Sequence, residues 1–190
     1  LICFIRTILR PIILFVPILA LTVTHLYAQQ KFSTEKGEVS FTSNAELEII
    51  KASSNKVRGI LDPSSNQFAF TVEINSFKGF NSDLQREHFM DNYMEAEKYP
   101  RASFSGKLIE QVDFSKDGEY DVRAKGDLDV HGQKQIRILK SKMTVRNGTL
   151  FIESKFSIPL DEHSILIPKI VNQKIATEIE VSFKASMSTH

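Results

Sequence analysis

Apolar and polar side chains alternate along most of the chain with a period of two. Phe68, Phe70, Val72 and Ile74 form one series, with Gln67, Thr71 and Glu73 between them. Over residues 119–131 the alternation is unbroken. Tyr120, Val122, Ala124, Gly126, Leu128 and Val130 fall on one side, and Glu119, Asp121, Arg123, Lys125, Asp127, Asp129 and His131 on the other. The last stretch repeats it, with Ile175, Thr177, Ile179, Val181, Phe183, Ala185 and Met187 set against Glu178, Glu180 and Lys184. Successive side chains of a strand point to opposite faces, so this pattern predicts strands with one dry and one wet face. Such strands belong in an antiparallel sheet, because parallel sheets are covered on both sides.

Turn residues punctuate the runs: Asp62-Pro63-Ser64-Ser65-Asn66, Lys116-Asp117-Gly118, His131-Gly132 and Asn147-Gly148. Asn-Gly tolerates the positive φ angles of a two-residue hairpin. The candidate strands are 37–42, 46–51, 56–61, 67–74, 102–112, 119–130, 135–145, 149–158 and 175–187. They make eight or nine strands, with the first two readable as one bent strand. Long strands joined by hairpins close readily into an up-and-down barrel, which removes exposed edges. A two-sheet sandwich is the competing arrangement, and periodicity does not separate the two. The expectation is an all-β fold, an extended antiparallel barrel of about eight strands.

One segment has a different period. Over 83–94, Leu84, His88, Phe89 and Tyr93 recur at helical spacing, and Ser82 or Asp83 can cap the first turn. Tyr99-Pro100 ends the excursion, since proline disfavours helix at the preceding residue. A short helix is expected here, lying over the barrel or its mouth. A second apolar element, Ile165 to Val171, forms a loop that either plugs the barrel end or makes the opposite rim of a mouth. Lys169, Lys174 and Arg86 are then candidates to meet a polar head group.

The first 28 residues change the picture of where the protein works. They contain no Asp or Glu; Arg6 and Arg10 precede the apolar run Pro11–Leu21, and Ala28 stands before Gln29-Gln30. A basic start, a short apolar middle and a small exit residue describe a cleaved secretory signal peptide. The run is short for a membrane span of about 20 residues. The expected organisation is a signal peptide over 1–28 and one barrel domain over 29–190, periplasmic or secreted, with no membrane anchor after processing. Cleavage removes Cys3, the single cysteine, and a thiol-free chain suits an oxidising compartment. A formal net charge of +1 gives no electrostatic reason to expect nucleic acid.

Catalytic signatures are missing from the sequence: it has no G-x-S-x-G, no HExxH and no glycine-rich phosphate loop. His88, His131 and His163 come from a helix, a turn and a loop, and their spacing matches no zinc-ligand pattern. The plainer reading puts His88 on the inner helix face bonded to backbone and His131 in a turn. No cofactor and no enzymatic activity are expected. Fourteen Phe and no Trp stand out. On strand faces these rings either pack a solid core or line a tunnel, and small residues at Ala124, Gly126 and Ala185 leave room that favours a cavity.

Three short motifs occur in order. Arg86-Glu87-His88-Phe89 is followed by Tyr99-Pro100-Arg101-Ala102-Ser103-Phe104-Ser105-Gly106, and then by Gly126-Asp127-Leu128-Asp129-Val130-His131-Gly132. Together with Phe156-Ser157-Ile158 and the alternating last strand, they resemble the YceI-like family of secreted bacterial proteins. The resemblance implies a lipocalin-like eight-stranded barrel whose interior holds a long-chain amphiphile: a polyisoprenoid, an isoprenoid quinone or a fatty amide. The residues expected to line that interior and its mouth are Phe68, Phe70, Val72, Ile74, Phe89, Tyr93, Phe104, Leu108, Tyr120, Val122, Leu128, Phe156, Ile179 and Phe183. The expected partner is therefore a hydrophobic, lipid-like small molecule; a homodimer stays open. The rival readings are a filled barrel with a structural, interaction or stress-related role and, behind it, a metal-dependent barrel enzyme.

Overall fold

The computed structural model describes residues 31–189; the expected signal peptide lies outside the described residues. Eight antiparallel strands close into a barrel in chain order: β1 (Phe32–Asn44), β2 (Ile49–Asp62), β3 (Gln67–Glu73), β4 (Arg101–Leu108), β5 (Gly118–Val130), β6 (Gln133–Arg146), β7 (Thr149–Pro159) and β8 (Glu178–Thr189). β8 pairs back onto β1, with Phe41 opposite Val181, so closure rather than a sandwich is the arrangement. The two-residue turns read from the sequence carry the backbone they require. His131 and Gly132 have φ of 53° and 69°, and Asn147 and Gly148 have 50° and 73°, the paired positive angles of tight hairpins.

The strand boundaries differ from expectation in one informative place. Residues 49–51 of the expected strand 46–51 and the whole of 56–61 belong to a single strand, β2, while 46–48 form the β1–β2 turn and 37–42 lies within the separate β1. The register of β1 against β2 shifts between Thr34 and Gly37 and again between Gly37 and Val39. Buried positions on β2 accordingly switch from Ala52 and Ser54 to Val57 and Leu61. A bulge inserts a residue and reverses the in–out phase, which is why a period-two reading cuts this strand in two. At the other end of the chain, Ile175 and Thr177 lie in the loop before β8 rather than on the strand.

The interior has two unlike halves. At the end carrying the β2–β3 and β6–β7 hairpins, Phe32, Leu61, Phe68, Leu108, Val122, Met143, Leu150 and Met187 pack into a filled core. The opposite end carries the helical excursion, the β5–β6 hairpin and the loop between β7 and β8, and it is walled by a second cluster that includes Val57, Val72, Ile74, Leu128 and Ile165. The small residues expected to leave a void do not border it. Ala124 and Ala185 belong to the filled core. Gly126 lies opposite Gly106, where a Cβ would stand 2.1 Å from the Ser105 carbonyl oxygen. That glycine pair serves the close approach of two backbones.

Between β3 and β4 the chain leaves the barrel. Ser82 Oγ accepts the Gln85 amide at 3.1 Å and caps α1 (Asp83–His88). The expected helix then continues as a wide π turn over Phe89–Tyr93.

Candidate hydrophobic-ligand cavity

The hollow half holds a cavity of about 510 Å³, within the size range of small-molecule sites. Of the fourteen expected lining residues, Phe70, Val72, Ile74, Phe89, Tyr93, Phe104, Leu128, Phe156, Ile179 and Phe183 border it. Phe68, Leu108, Tyr120 and Val122 are placed with the filled core instead. The reason is topological: strand alternation distinguishes inside from outside but carries no record of height along the barrel axis.

Other lining residues escaped the sequence reading. Phe77 and Phe80 come from the irregular segment before α1, where no period marks them. Their rings and that of Phe89 gather around Phe41, the Phe41–Phe89 pair stacking at 5.3 Å between centroids. Ile165 and Val171 belong to the apolar loop expected to plug or rim the barrel end, and they border the cavity together with Ile175, from the same loop between β7 and β8. Phe41 was legible in principle, since it alternates with Val39 on β1.

Polar groups concentrate at one end of this cavity. Glu48, Ser82, Gln85, His88 and Lys174 form a collar where the β1–β2 turn, α1 and the loop before β8 converge. Glu48 Oε1 accepts Gln85 Nε2 at 3.0 Å, and Ser43 Oγ accepts the Ala176 amide at 2.9 Å. On the π turn, partial burial pushes the Tyr93 phenol above its usual pKa, so it stays a neutral hydroxyl. Arg86 does not join the collar. Its guanidinium donates to the carbonyls of Phe77 and Asn75 and ties down the segment before the helix.

The histidines divide. His88 is exposed at the collar rather than bonded to backbone. His131 Nδ1 lies 3.0 Å from the His163 carbonyl, and its Nε2 lies 3.0 Å from Glu95 Oε1. Tyr99 meets the His131 ring edge-on at 4.7 Å. The motif residues Tyr99, His131 and Gly132 thus form a clamp at the hollow end, joining the helical excursion to the loop that bears Ile165. Among the described residues no group of three His, Cys, Asp or Glu side chains is arranged to hold a metal ion.

A second hollow, about 530 Å³, lies on the outer surface along β5 to β8. Its walls are mostly charged side chains, several in ion pairs such as Arg123–Glu110 and Lys184–Glu153. Charged side chains dominate this hollow and aromatic and aliphatic ones the inner cavity, so the inner cavity is the candidate site.

No curated protein sequence resembles the chain closely enough to count as a relative. Solved structures share its fold. A polyisoprenoid-binding domain from Saccharophagus degradans, implicated in plant cell wall breakdown, matches with a TM-score of 0.70 at 15% identity, covering 85% of this chain and 99% of that one. BcnA of Burkholderia cenocepacia matches at 0.66 and 15% identity, covering 81% and 97%. A YceI protein of Campylobacter jejuni matches at 0.60 and 16% identity, covering 77% and 88%. The family model for the YceI-like domain matches residues 21–187, most of the chain including all but the last residues of the barrel, and the protein therefore belongs to the YceI-like family.

Proposed function

We propose that the protein sequesters or carries a long-chain hydrophobic amphiphile in the hollow half of its barrel, without chemistry, in the bacterial periplasm or outside the cell. The observation that carries this reading is the cavity itself: an apolar, aromatic-walled space closed at one end by a filled core and ringed at the other by polar groups. An alkyl or isoprenoid tail entering it gains roughly 0.8 kcal/mol per CH₂ removed from water. Few directional contacts are needed, so tails of similar length are discriminated weakly. The collar of Glu48, Gln85, His88 and Lys174 selects the head group. A polyisoprenoid, an isoprenoid quinone and a fatty amide all fit this chemistry, and the likeness to the polyisoprenoid-binding domain of Saccharophagus degradans supports the first. The acid-free, basic-then-apolar first 28 residues support export.

The test is extraction of the purified protein with organic solvent, followed by mass spectrometry. A near-stoichiometric amphiphile is the expected result. No released lipid, together with no uptake of an added isoprenoid, refutes the reading.

A further inference from the structure

We infer that the collar end of the barrel docks on an anionic bilayer, so that its cargo passes between membrane and cavity without crossing water. This rests on the ligand-binding reading above and names the partner that the same mouth meets. Large apolar side chains stand in solvent around the opening: Leu47 on the β1–β2 turn, Leu84 on α1, and Leu166 and Ile170 on the loop before β8, the last two 82% and 91% exposed. These elements touch one another at the mouth. The Leu47 amide donates to the Gln173 carbonyl at 2.9 Å, and Gln85 of α1 bonds Glu48.

A nearly bare isoleucine beside a cavity mouth has no packing role. Apolar side chains at that place gain free energy only by burial in something else, and the surface is continuous with a cavity that already favours hydrocarbon. Charge on the loop side of the mouth favours the bilayer. Asp161 and Glu162 stand at the start of the loop, and Glu46, Glu48, Asp83 and Glu87 lie on the turn and α1. The stretch from Ser164 to Thr177 that bears Leu166 and Ile170, however, holds Lys169 and Lys174 and no acid, so this loop is the part that meets the lipid. Exposed apolar residues beside lysines are the composition that inserts at the head-group boundary of anionic lipid.

The test uses the purified full barrel with its bound cargo. Vesicles of phosphatidylcholine with phosphatidylglycerol, and of phosphatidylcholine alone, are floated with wild type, with Leu166→Glu/Ile170→Glu, with Lys169→Ala, and with Ile136→Glu/Ile138→Glu. The last pair is also exposed, but on the outer wall of β6. The expected results are binding that favours the anionic vesicles, a loss of about tenfold or more in the Leu166/Ile170 variant, and about fivefold in Lys169→Ala on anionic vesicles only. The β6 variant binds as wild type. Extracted lipid stays at wild-type amounts in the loop variants, since neither Leu166 nor Ile170 lines the cavity, whereas its transfer to acceptor vesicles slows. Wild-type vesicle binding by the Leu166/Ile170 variant overturns the proposal, as does an equal loss in the β6 variant. So does a wild-type dimer that this variant dissociates, because a second copy would then cover the rim. Extraction that yields no lipid from wild type refutes the ligand reading instead, and the two failures are told apart.

Discussion

The rings of Phe70 and Phe183 meet edge-on with centroids 5.0 Å apart, and this pair forms the floor between the hollow and filled halves. Both rings pack against each cluster and both border the cavity. Side chains above and below that floor should respond differently to truncation. Phe68 lies below, fully inside the filled core. Phe68→Ala is expected to cost about 3–5 kcal/mol with ligand capacity kept. Phe156 borders the existing void, so Phe156→Ala enlarges it and is expected to cost less than Phe68→Ala while changing which tails are retained. Urea denaturation and the mass profile of extracted lipid check both. Equal stability losses would mean that the two halves are not distinct.

Gly59 decides where the floor sits. It pairs with Phe70 across β2 and β3, and the Phe70 ring lies over it: a Cβ at Gly59 would stand 2.1 Å from a ring carbon. Gly59→Ala therefore has to swing the ring aside, at an expected cost of about 1–3 kcal/mol. If the ring moves into the void, the variant also takes up shorter tails than wild type. Lipid uptake across a chain-length series reads this directly.

The clamp of Glu95, Tyr99, His131 and His163 has a different consequence. It joins the helical excursion to the loop before β8, the two flaps on either side of the mouth. His131→Ala leaves the fully buried His163 residue with an unanswered carbonyl, an expected loss of about 1–3 kcal/mol. Gly132→Ala places a side chain at φ of 69° with its Cβ 2.4 Å from the Tyr99 ring, and a comparable loss is expected from strain and overlap. Both variants should release bound lipid faster, since both loosen the flaps. Stopped-flow transfer of a fluorescent tail provides the measurement; destabilisation with an unchanged release rate would contradict the role.

These relationships show what was legible beforehand. Alternation located most of the strands and their inner faces, because burial on one face leaves a direct trace at period two. The barrel's division into halves left none: Phe68 and Phe70 share one strand and one face, yet Phe68 lies inside the filled core while Phe70 forms the floor of the cavity. The β2 bulge hid for a related reason, since an inserted residue at 55–56 breaks the phase that the reading relies on. Phe77 and Phe80 were invisible because irregular backbone has no period. The short motifs were recognisable, but their physical role was not: Tyr99 and His131-Gly132 build the clamp, not the cavity wall.

At the filled end, the loop before β5 should make stability pH-dependent. The Asp113 carboxyl is held down to about 2 from its usual 3.8, first by the Ser115 hydroxyl and then by Lys116. A carboxyl depressed in the folded state stabilises the fold above its unfolded value and loses that contribution as pH falls from about 3.8 to about 2. Asp113→Asn is expected to be less stable than wild type at neutral pH, with the gap closing through that window. Denaturation midpoints at pH 7 and pH 2 test the sign; a gap that widens in acid would be the wrong one.

Removing the ligand should weaken one end of the molecule and spare the other. Cargo bound only by the folded state stabilises it by mass action, by about 2.7 kcal/mol at a hundredfold excess over Kd. The cavity proposed to hold it lies on the hollow side of Phe70 and Phe183. Delipidated protein is therefore expected to melt at lower temperature and to recover when an isoprenoid is restored. The accompanying loss of amide protection should fall on the β1–β2 turn, α1 and the loop before β8. Strand segments around Met143, Leu150 and Met187 belong to the filled core and should keep their protection under native conditions, because local opening follows local packing. Hydrogen exchange with and without lipid distinguishes the cases. A uniform change along the chain would place the ligand's contacts on both sides of the floor, and a change confined to the Asn147-Gly148 end would put the site in the wrong half.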